Sequence, residues 1–374
     1  MTVARHFAAL TAVTLMAVAC GSDDDDTAAD GTTATAATAV TATTTATAAT
    51  TAAEAGTDTA ATPSGDKVSV AILLPCAIND KSWCEAAHTG VKKLEADGLI
   101  DVQIVENAPF DAQGATRVMT GFAEDGVDVI IGHSFDYGAP INELAPKFPD
   151  SRFLWQGSCN GFCDVAGDNV TDYGMAMHEP AYLAGILAAG VTTTNKLGTN
   201  SGYDIPVCRA SIEAFLMGAQ EVNPDIERLD TFLGSWVDVA KAKEATAAQA
   251  EQGADVFMAC GNAGSFGMIQ EAKEQNLTAF GYVWDESELA PDNVMASMSW
   301  QLDVTFGKIV EDFKAGPVQP YYEIYMKDGG FELEVNEQYS VAEVSPDAQE
   351  KYEEKLDAIK GGTFEVPFKP TADA

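Results

Sequence analysis

Five consecutive residues, Asn79, Asp80, Lys81, Ser82 and Trp83, bring together an amide, a carboxylate, an ammonium, a hydroxyl and an indole. That set offers donors, acceptors, charge and a flat apolar face within one short segment, which suits non-covalent capture of a small polar ring. Similar segments recur along the chain: Ser134, Phe135 and Asp136; Tyr203 and Asp204; Gly261 and Asn262; Trp284 and Asp285. The aromatic members suit stacking, and the carboxylates and amides suit hydroxyls or ring nitrogens. Each group also has a plainer reading. Phe135 fits a core, Asp204 a helix cap, Gly261 to Gly264 a tight strand-to-helix turn, and Lys81 a solvated surface charge.

The elements that must position these residues are read from periodicity. Val68 to Leu74 is an uncharged run closed by Pro75, the pattern of a strand buried on both faces. Helical spacing follows from Glu85 to Leu94. Strands are then expected at Val102–Glu106, Val127–Gly132, Arg152–Gln156 and Val170–Tyr173, with a helix from Asp111 to Glu124 capped by Asp111 and another from Glu179 to Val191. A second set has strands at Lys196–Asn200, Leu229–Leu233, Val256–Cys260 and Ala279–Tyr282. Its helices begin near Asp204-Ile205-Pro206, at Ala240, at Gly264 and around Trp300 to Phe313. Glu323–Tyr325 and Phe331–Leu333 read as a late strand pair, and Ser345–Lys360 as a last helix. Two alternating strand–helix sets in tandem predict an α/β fold of two lobes around a cleft. Every polar segment named above follows a predicted strand, so all are expected at that cleft.

The first residues read as delivery. Arg5, the apolar stretch Phe7 to Val18 and Cys20-Gly21 form a secretory signal with a lipoprotein-type cleavage site, in which Ala17 stands where the usual motif has Leu. Residues 21–66 are almost entirely Thr, Ala and Asp, with nothing to bury, and predict a disordered tether. The net charge of −36 excludes a nucleic-acid binder, which would carry clustered Lys and Arg, and opposes affinity for anionic lipid.

Seven cysteines are present. With Cys20 lipidated, Cys76, Cys84, Cys159, Cys163, Cys208 and Cys260 remain, an even number in an exported chain. Nearness in sequence favours Cys76 with Cys84 and Cys159 with Cys163, leaving Cys208 with Cys260. A metal site is the other reading, but the spacings match no zinc pattern and the four His residues are scattered; no metal and no cofactor is expected.

Ala-Ile-Asn-Asp-Lys-Ser-Trp (77–83), Ile-Ile-Gly-His-Ser-Phe-Asp-Tyr-Gly (130–138), Ala-Tyr-Leu-Ala-Gly (181–185) and Asp-Ile-Pro-Val-Cys-Arg (204–209) together resemble the basic membrane protein family of lipoproteins. Gln-Gly-Ala-Asp-Val-Phe (252–257), Gly-Asn-Ala-Gly (261–264) and Ser-Glu-Leu-Ala-Pro-Asp (287–292) continue the resemblance in order, from Lys67 to about Gly316. The resemblance implies a type I periplasmic-binding-protein fold, with two three-layer lobes joined by three crossovers. Lobe I would comprise 67–177 with about 284–315, and lobe II 178–283 with about 316–374. It implies capture of a purine nucleobase or nucleoside for the permease of an ABC importer, by a lipid-anchored monomer on the extracytoplasmic face of the cell membrane. Carried over, Asn79 and Asp80 would bond the ligand and Trp83 would stack on it in place of the family's usual Phe. Val283 stands where the family commonly has Asp, and Trp300 where it has a Lys near the ribose; Trp300 and Trp284 are then further candidates to close on the ring. Both changes remove polar groups suited to sugar hydroxyls and favour a bare base or a nucleoside with a loosely held ribose.

Other classes are weighed against this. No Gly-x-Ser-x-Gly elbow and no Gly-x-x-x-x-Gly-Lys-Ser/Thr phosphate loop occurs, so an enzyme is not expected. A receptor presenting its ligand to a membrane sensor, or a binder of a sugar-like solute, stays as an alternative.

Overall fold

The computed structural model describes residues 67–159 and 165–371. The signal, Cys20, the tether and Cys163 lie outside them. Lys67 onwards falls within one compact unit.

Its first half alternates β1 (Val68–Leu73), α1 (Trp83–Ala96), β2 (Ile100–Val105), α2 (Ala112–Glu124), β3 (Val129–Gly132), α3 (Gly138–Leu144), β4 (Arg152–Trp155) and β5 (Val170–Tyr173). The second half runs α4 (His178–Val191), β6 (Lys196–Ser201), α5 (Pro206–Val222), β7 (Glu227–Phe232), α6 (Val239–Glu251), β8 (Val256–Cys260), α7 (Asn262–Gln275), β9 (Thr278–Val283) and β10 (Val294–Trp300). The chain closes with α8 (Leu302–Ala315), β11 (Tyr321–Tyr322), β12 (Phe331–Val335) and α9 (Pro346–Lys360). No helix among the described residues is long and apolar enough to cross a membrane.

Two six-stranded sheets form, in the orders β11-β5-β4-β3-β1-β2 and β12-β10-β9-β8-β6-β7. All pairs are parallel except β10 with β12. The central strands β1, β3 and β8 are buried on both faces, as their apolar runs require, with Ser69 of β1 the one partly exposed position. Asp111 caps α2 through Gly114 N–H at 2.8 Å, and Ser345 caps α9.

The chain passes between the sheets three times. After β5 it enters the second sheet; after β10 it returns through α8, which packs on α1, to add β11 to the first; it then crosses again to β12 and α9, which packs on α4.

Three expectations are corrected. Residues 294–300, expected in the first lobe with Trp300 opening a helix, form β10 beside β9 in the second sheet. The run Val-Met-Ala-Ser-Met-Ser-Trp is buried throughout, so its Ser residues read as polar punctuation although they are interior. The lobes therefore exchange the chain after Trp300, not near Trp284, and Tyr321–Tyr322 returns to the first sheet. The late strand pair does not exist as a pair: Tyr321–Tyr322 adds to β5 and Phe331–Val335 to β10, in different sheets. Asp204 does not cap α5. Ile205 takes the N-cap position, and the Asp204 carboxylate instead holds the Arg209 guanidinium at 2.9 and 2.7 Å.

Candidate functional site

A cavity of about 280 Å³ opens where the carboxyl ends of both sheets face each other. Six aromatic side chains line it, three from each sheet: Trp83, Phe110 and Phe135 after β1, β2 and β3, and Trp236, Phe266 and Tyr282 after β7, after β8 and at the end of β9. The polar lining is sparse: Asp80, Ser134, Gln156, Ser158 and Asn262.

Trp83 is the first residue of α1. Its Nε1–H donates to His133 O at 3.0 Å, and its indole stacks on the His133 ring at 4.5 Å between centroids. Tyr282 lies parallel to it at 6.2 Å. His133 is fully buried, and burial pushes its pKa down to about 3. The ring is therefore neutral. Nε2–H donates to the Trp83 carbonyl at 3.3 Å, which can only accept, so Nδ1 accepts from Tyr173 O–H at 2.7 Å. An aromatic layer of His133, Tyr173, Trp300 and Phe306 thus backs Trp83.

Asp80 binds the start of α1. Its Oδ1 accepts the N–H groups of Ser82 and Glu85, each at 3.0 Å, and its Oδ2 that of Cys84 at 3.2 Å. Oδ2 also accepts Asn262 Nδ2 from the other lobe at 3.0 Å. Burial pushes the Asp80 pKa up, against the three N–H groups that lower it. Ser82 O–H lies 3.3 Å from both Asn262 Oδ1 and Tyr282 O, so the two lobes meet at the cavity floor through Asp80, Ser82, Asn262 and Tyr282.

Trp236 rests on backbone. A Cβ at Gly202 would stand 2.1 Å from its ring, and one at Gly261, where φ is +123°, would stand 3.0 Å away. Only glycine lets the indole lie there.

Of the residues expected at the site, Asp80, Trp83, Ser134, Phe135, Gly261 and Asn262 line the cavity. Asn79, Lys81, Asp136, Tyr203, Asp204, Trp284, Asp285 and Trp300 do not. Asn79 and Asp136 are exposed, Asp136 turning back to Ser134. Lys81 points to Glu85 and Glu288 at 3.7 and 3.5 Å. Tyr203 meets the Trp236 ring edge-on at 5.1 Å. Trp300 is buried, stacked on Phe331 at 5.6 Å behind Trp83. Trp284 N–H donates back to Tyr282 O at 2.8 Å, closing a three-residue turn about Val283, whose φ of +53° is rare for a β-branched residue. The turn redirects the chain. Trp284 packs on the core, and Asp285 accepts Ser287 N–H at 3.0 Å.

Sequence reasoning missed Phe110, Gln156, Ser158, Trp236, Phe266 and Tyr282. It sought polar segments, whereas most of these are aromatic residues in the stretches that follow or end strands; position alone was the available signal.

Two disulfides border the site, Cys76–Cys84 and Cys208–Cys260, with Cα atoms 5.8 and 5.6 Å apart. Cys76 and Cys208 both line the cavity. The expected Cys159–Cys163 pair involves Cys163, outside the described residues.

Residues 67–360 match the family model Bmp, described as ABC transporter substrate-binding protein PnrA-like. The chain belongs to this family. Bmp proteins are substrate-binding proteins, not enzymes. Among relatives, the chain is 26% identical to "Transcriptional activator protein med" of Bacillus subtilis, over 70% of this chain and 81% of that protein. It is 28% identical to "Putative ABC transporter glucose-binding protein TsgA13" of Haloferax volcanii, over 70% and 64%, and 28% identical to a "Purine-binding protein" of Brucella abortus, over 64% and 66%. The last two are thus spanned for just under two thirds of their length. A solved solute-binding protein of an ABC transporter system from Conexibacter woesei superimposes with a TM-score of 0.64 at 25% identity, over 80% of this chain and 99% of that one. The Bmp fold seen here is the two-lobed α/β type I periplasmic-binding-protein fold.

Proposed function

We propose that this Bmp protein captures a purine nucleobase or nucleoside between its lobes and delivers it to the permease of an ABC importer. Cys20 anchors it by lipid at the extracytoplasmic face of the cell membrane, and it acts as a monomer. The observation that carries this reading is the ring of six aromatic side chains, contributed equally by the two lobes, around a cavity with few polar groups. Such walls stack on any flat ring, each contact worth roughly 1–3 kcal/mol. The volume of about 280 Å³ lies just below the usual range for ligand pockets, roughly 300–1,000 Å³, which favours a base or nucleoside over anything larger. The name of the Brucella abortus relative points the same way.

Calorimetric titration with adenine, guanine, adenosine, guanosine and glucose tests it. Micromolar or tighter binding of a purine is expected. Binding of glucose with no response to any purine would replace the ligand class, in keeping with the Haloferax volcanii relative. Anchoring is tested separately: the expressed protein should partition with membranes, and Cys20→Ser should release it, because stable attachment needs more than a single chain's hold.

A further inference from the structure

The polar groups that line the cavity are not equally free to meet a ligand. The four acceptor positions of Asp80 are filled by the N–H groups of Ser82, Cys84, Glu85 and Asn262. Asn262 is engaged with Asp80 and Ser82, and Ser134 with Asp136. Gln156 and Ser158 are different. They are 3% and 5% exposed, line the cavity, and bond to each other, Gln156 Nε2 to Ser158 Oγ at 2.5 Å.

That bond uses one valence of each side chain. The amide oxygen of Gln156 remains an acceptor and the hydroxyl hydrogen of Ser158 a donor. With the amide turned over, Ser158 donates to Gln156, the NH₂ group is the remaining donor, and the Ser158 oxygen is the remaining acceptor. Either orientation presents at least one donor and one acceptor side by side.

The segment is held in place with some strain. Ser158 has φ +50°, in the left-handed region that non-glycine residues seldom occupy. Asp172 grips both sides of it, accepting the N–H of Gly157 and of Cys159 at 2.9 Å each. A Cβ on Gly157 would come within 2.8 Å of the Asp172 carboxylate. A strained, buried, over-determined turn beside a cavity is a place to look for recognition.

We propose that Gln156 and Ser158 read the edge of the bound ring, selecting an uncharged ligand that carries a donor and an acceptor next to each other. This rests on the purine reading of the cavity and narrows it. The matching purine edge is a 6-amino group beside a ring nitrogen, or a 6-oxo group beside a ring N–H. Asp80 is the one charged side chain on the lining among the described residues, and its oxygens are already bonded. A phosphate or carboxylate on the ligand would be buried without a counter-charge, which excludes nucleotides and amino acids.

The test is calorimetric titration of the full chain, as wild type, Gln156→Leu and Ser158→Ala, with adenine, hypoxanthine, unsubstituted purine and adenosine monophosphate. In the wild type, adenine or hypoxanthine should bind about tenfold or more tightly than unsubstituted purine, which leaves the pair short of a partner. Gln156→Leu keeps the volume and should weaken the better ligand by about tenfold or more and unsubstituted purine by clearly less, so that the ratio between them shrinks. Ser158→Ala should move the ratio in the same direction. If purines bind and neither variant changes the ratio, edge reading is overturned and the purine reading stands. If unsubstituted purine weakens as much as adenine, Gln156 only shapes the cavity, and the inference is again overturned. Tighter binding of adenosine monophosphate than of adenine would overturn the selection for uncharged ligands. If the folded wild type binds none of the four, the purine reading fails and takes this inference with it.

Discussion

The Asp80 carboxylate in the first lobe accepts the Asn262 amide of the second at 3.0 Å, across the cavity floor. The same carboxylate gathers three backbone N–H groups at the start of α1, where N–H groups have no partner inside the helix unless a side chain supplies one. One side chain thus ends a helix and ties two lobes.

Asp80→Ala should therefore destabilise the protein before any ligand is added. Loss of a cap costs about 1 kcal/mol, and the unpartnered Asn262 amide adds to it. Scanning calorimetry should find the ligand-free Tm lowered by several degrees, at roughly 2–4 °C per kcal/mol for a domain of 150–250 residues. An unchanged Tm would mean that Asp80 serves the ligand alone.

Trp236→Ala should weaken purine binding by about tenfold to a hundredfold, the usual cost of one stacking face. Gly202→Ala should follow in the same direction, because its Cβ would occupy the place of the indole, 2.1 Å from the ring. Titration of both variants checks whether this ring is a wall of the site or a neighbour of it.

Stability should fall between pH 6.5 and 8. Burial pushes the Glu286 carboxyl up to about 8 and that of Glu179 up to about 7, so in this range the folded state holds protons that the unfolded state has lost, and stability drops as pH rises. His133 and His178 act oppositely: burial pushes them down to about 3 and about 4, and they remove stability as pH falls below about 6.5. Glu286→Gln should flatten the alkaline slope in a Tm-against-pH series and steepen the acidic one between about pH 4.5 and 6.5, where the proton held by Glu286 offsets the histidines. An unaltered alkaline slope in that variant would clear Glu286 of the effect.

Removing the disulfides should cost stability in order of the chain they close. The loop-closure estimate is about 2–3 kcal/mol for the 8-residue separation of Cys76 and Cys84 and about 4 kcal/mol for the 52-residue separation of Cys208 and Cys260. Paired Cys→Ala variants, unfolded in denaturant, rank the two. Because Cys76 and Cys208 border the cavity, either pair of substitutions should also loosen ligand binding.

Much of this fold was legible because buried parallel strands are conspicuous runs: β8 matches its expected bounds, β1 ends one residue early and β3 begins two residues late. β10 was not, since its Ser297 and Ser299 are buried and break the apolar pattern that marks such strands. At the site, Asp80 and Trp83 were legible because they stand in a dense polar segment. Trp236 stands in an ordinary turn, and only its contact with Gly202 and Gly261, distant in sequence, reveals its place. The three-residue turn at Val283 carried no sequence signal, so Trp284 was assigned a wall that Tyr282 supplies. Long-range packing decides such positions, and a single sequence does not display it.

Each of the six aromatic walls follows or ends a different strand, and the sheets behind them share no residue with the walls except at Tyr282. The binding surface is therefore separately editable. A lineage can exchange one wall at a time, enlarging it, flattening it or making it polar, and the frame that aims the other five keeps its register. Substitutions at Trp83 and Tyr282, whose rings lie 6.2 Å apart, would couple; even so, a change of diet needs no change of architecture, only a short sequence of single steps.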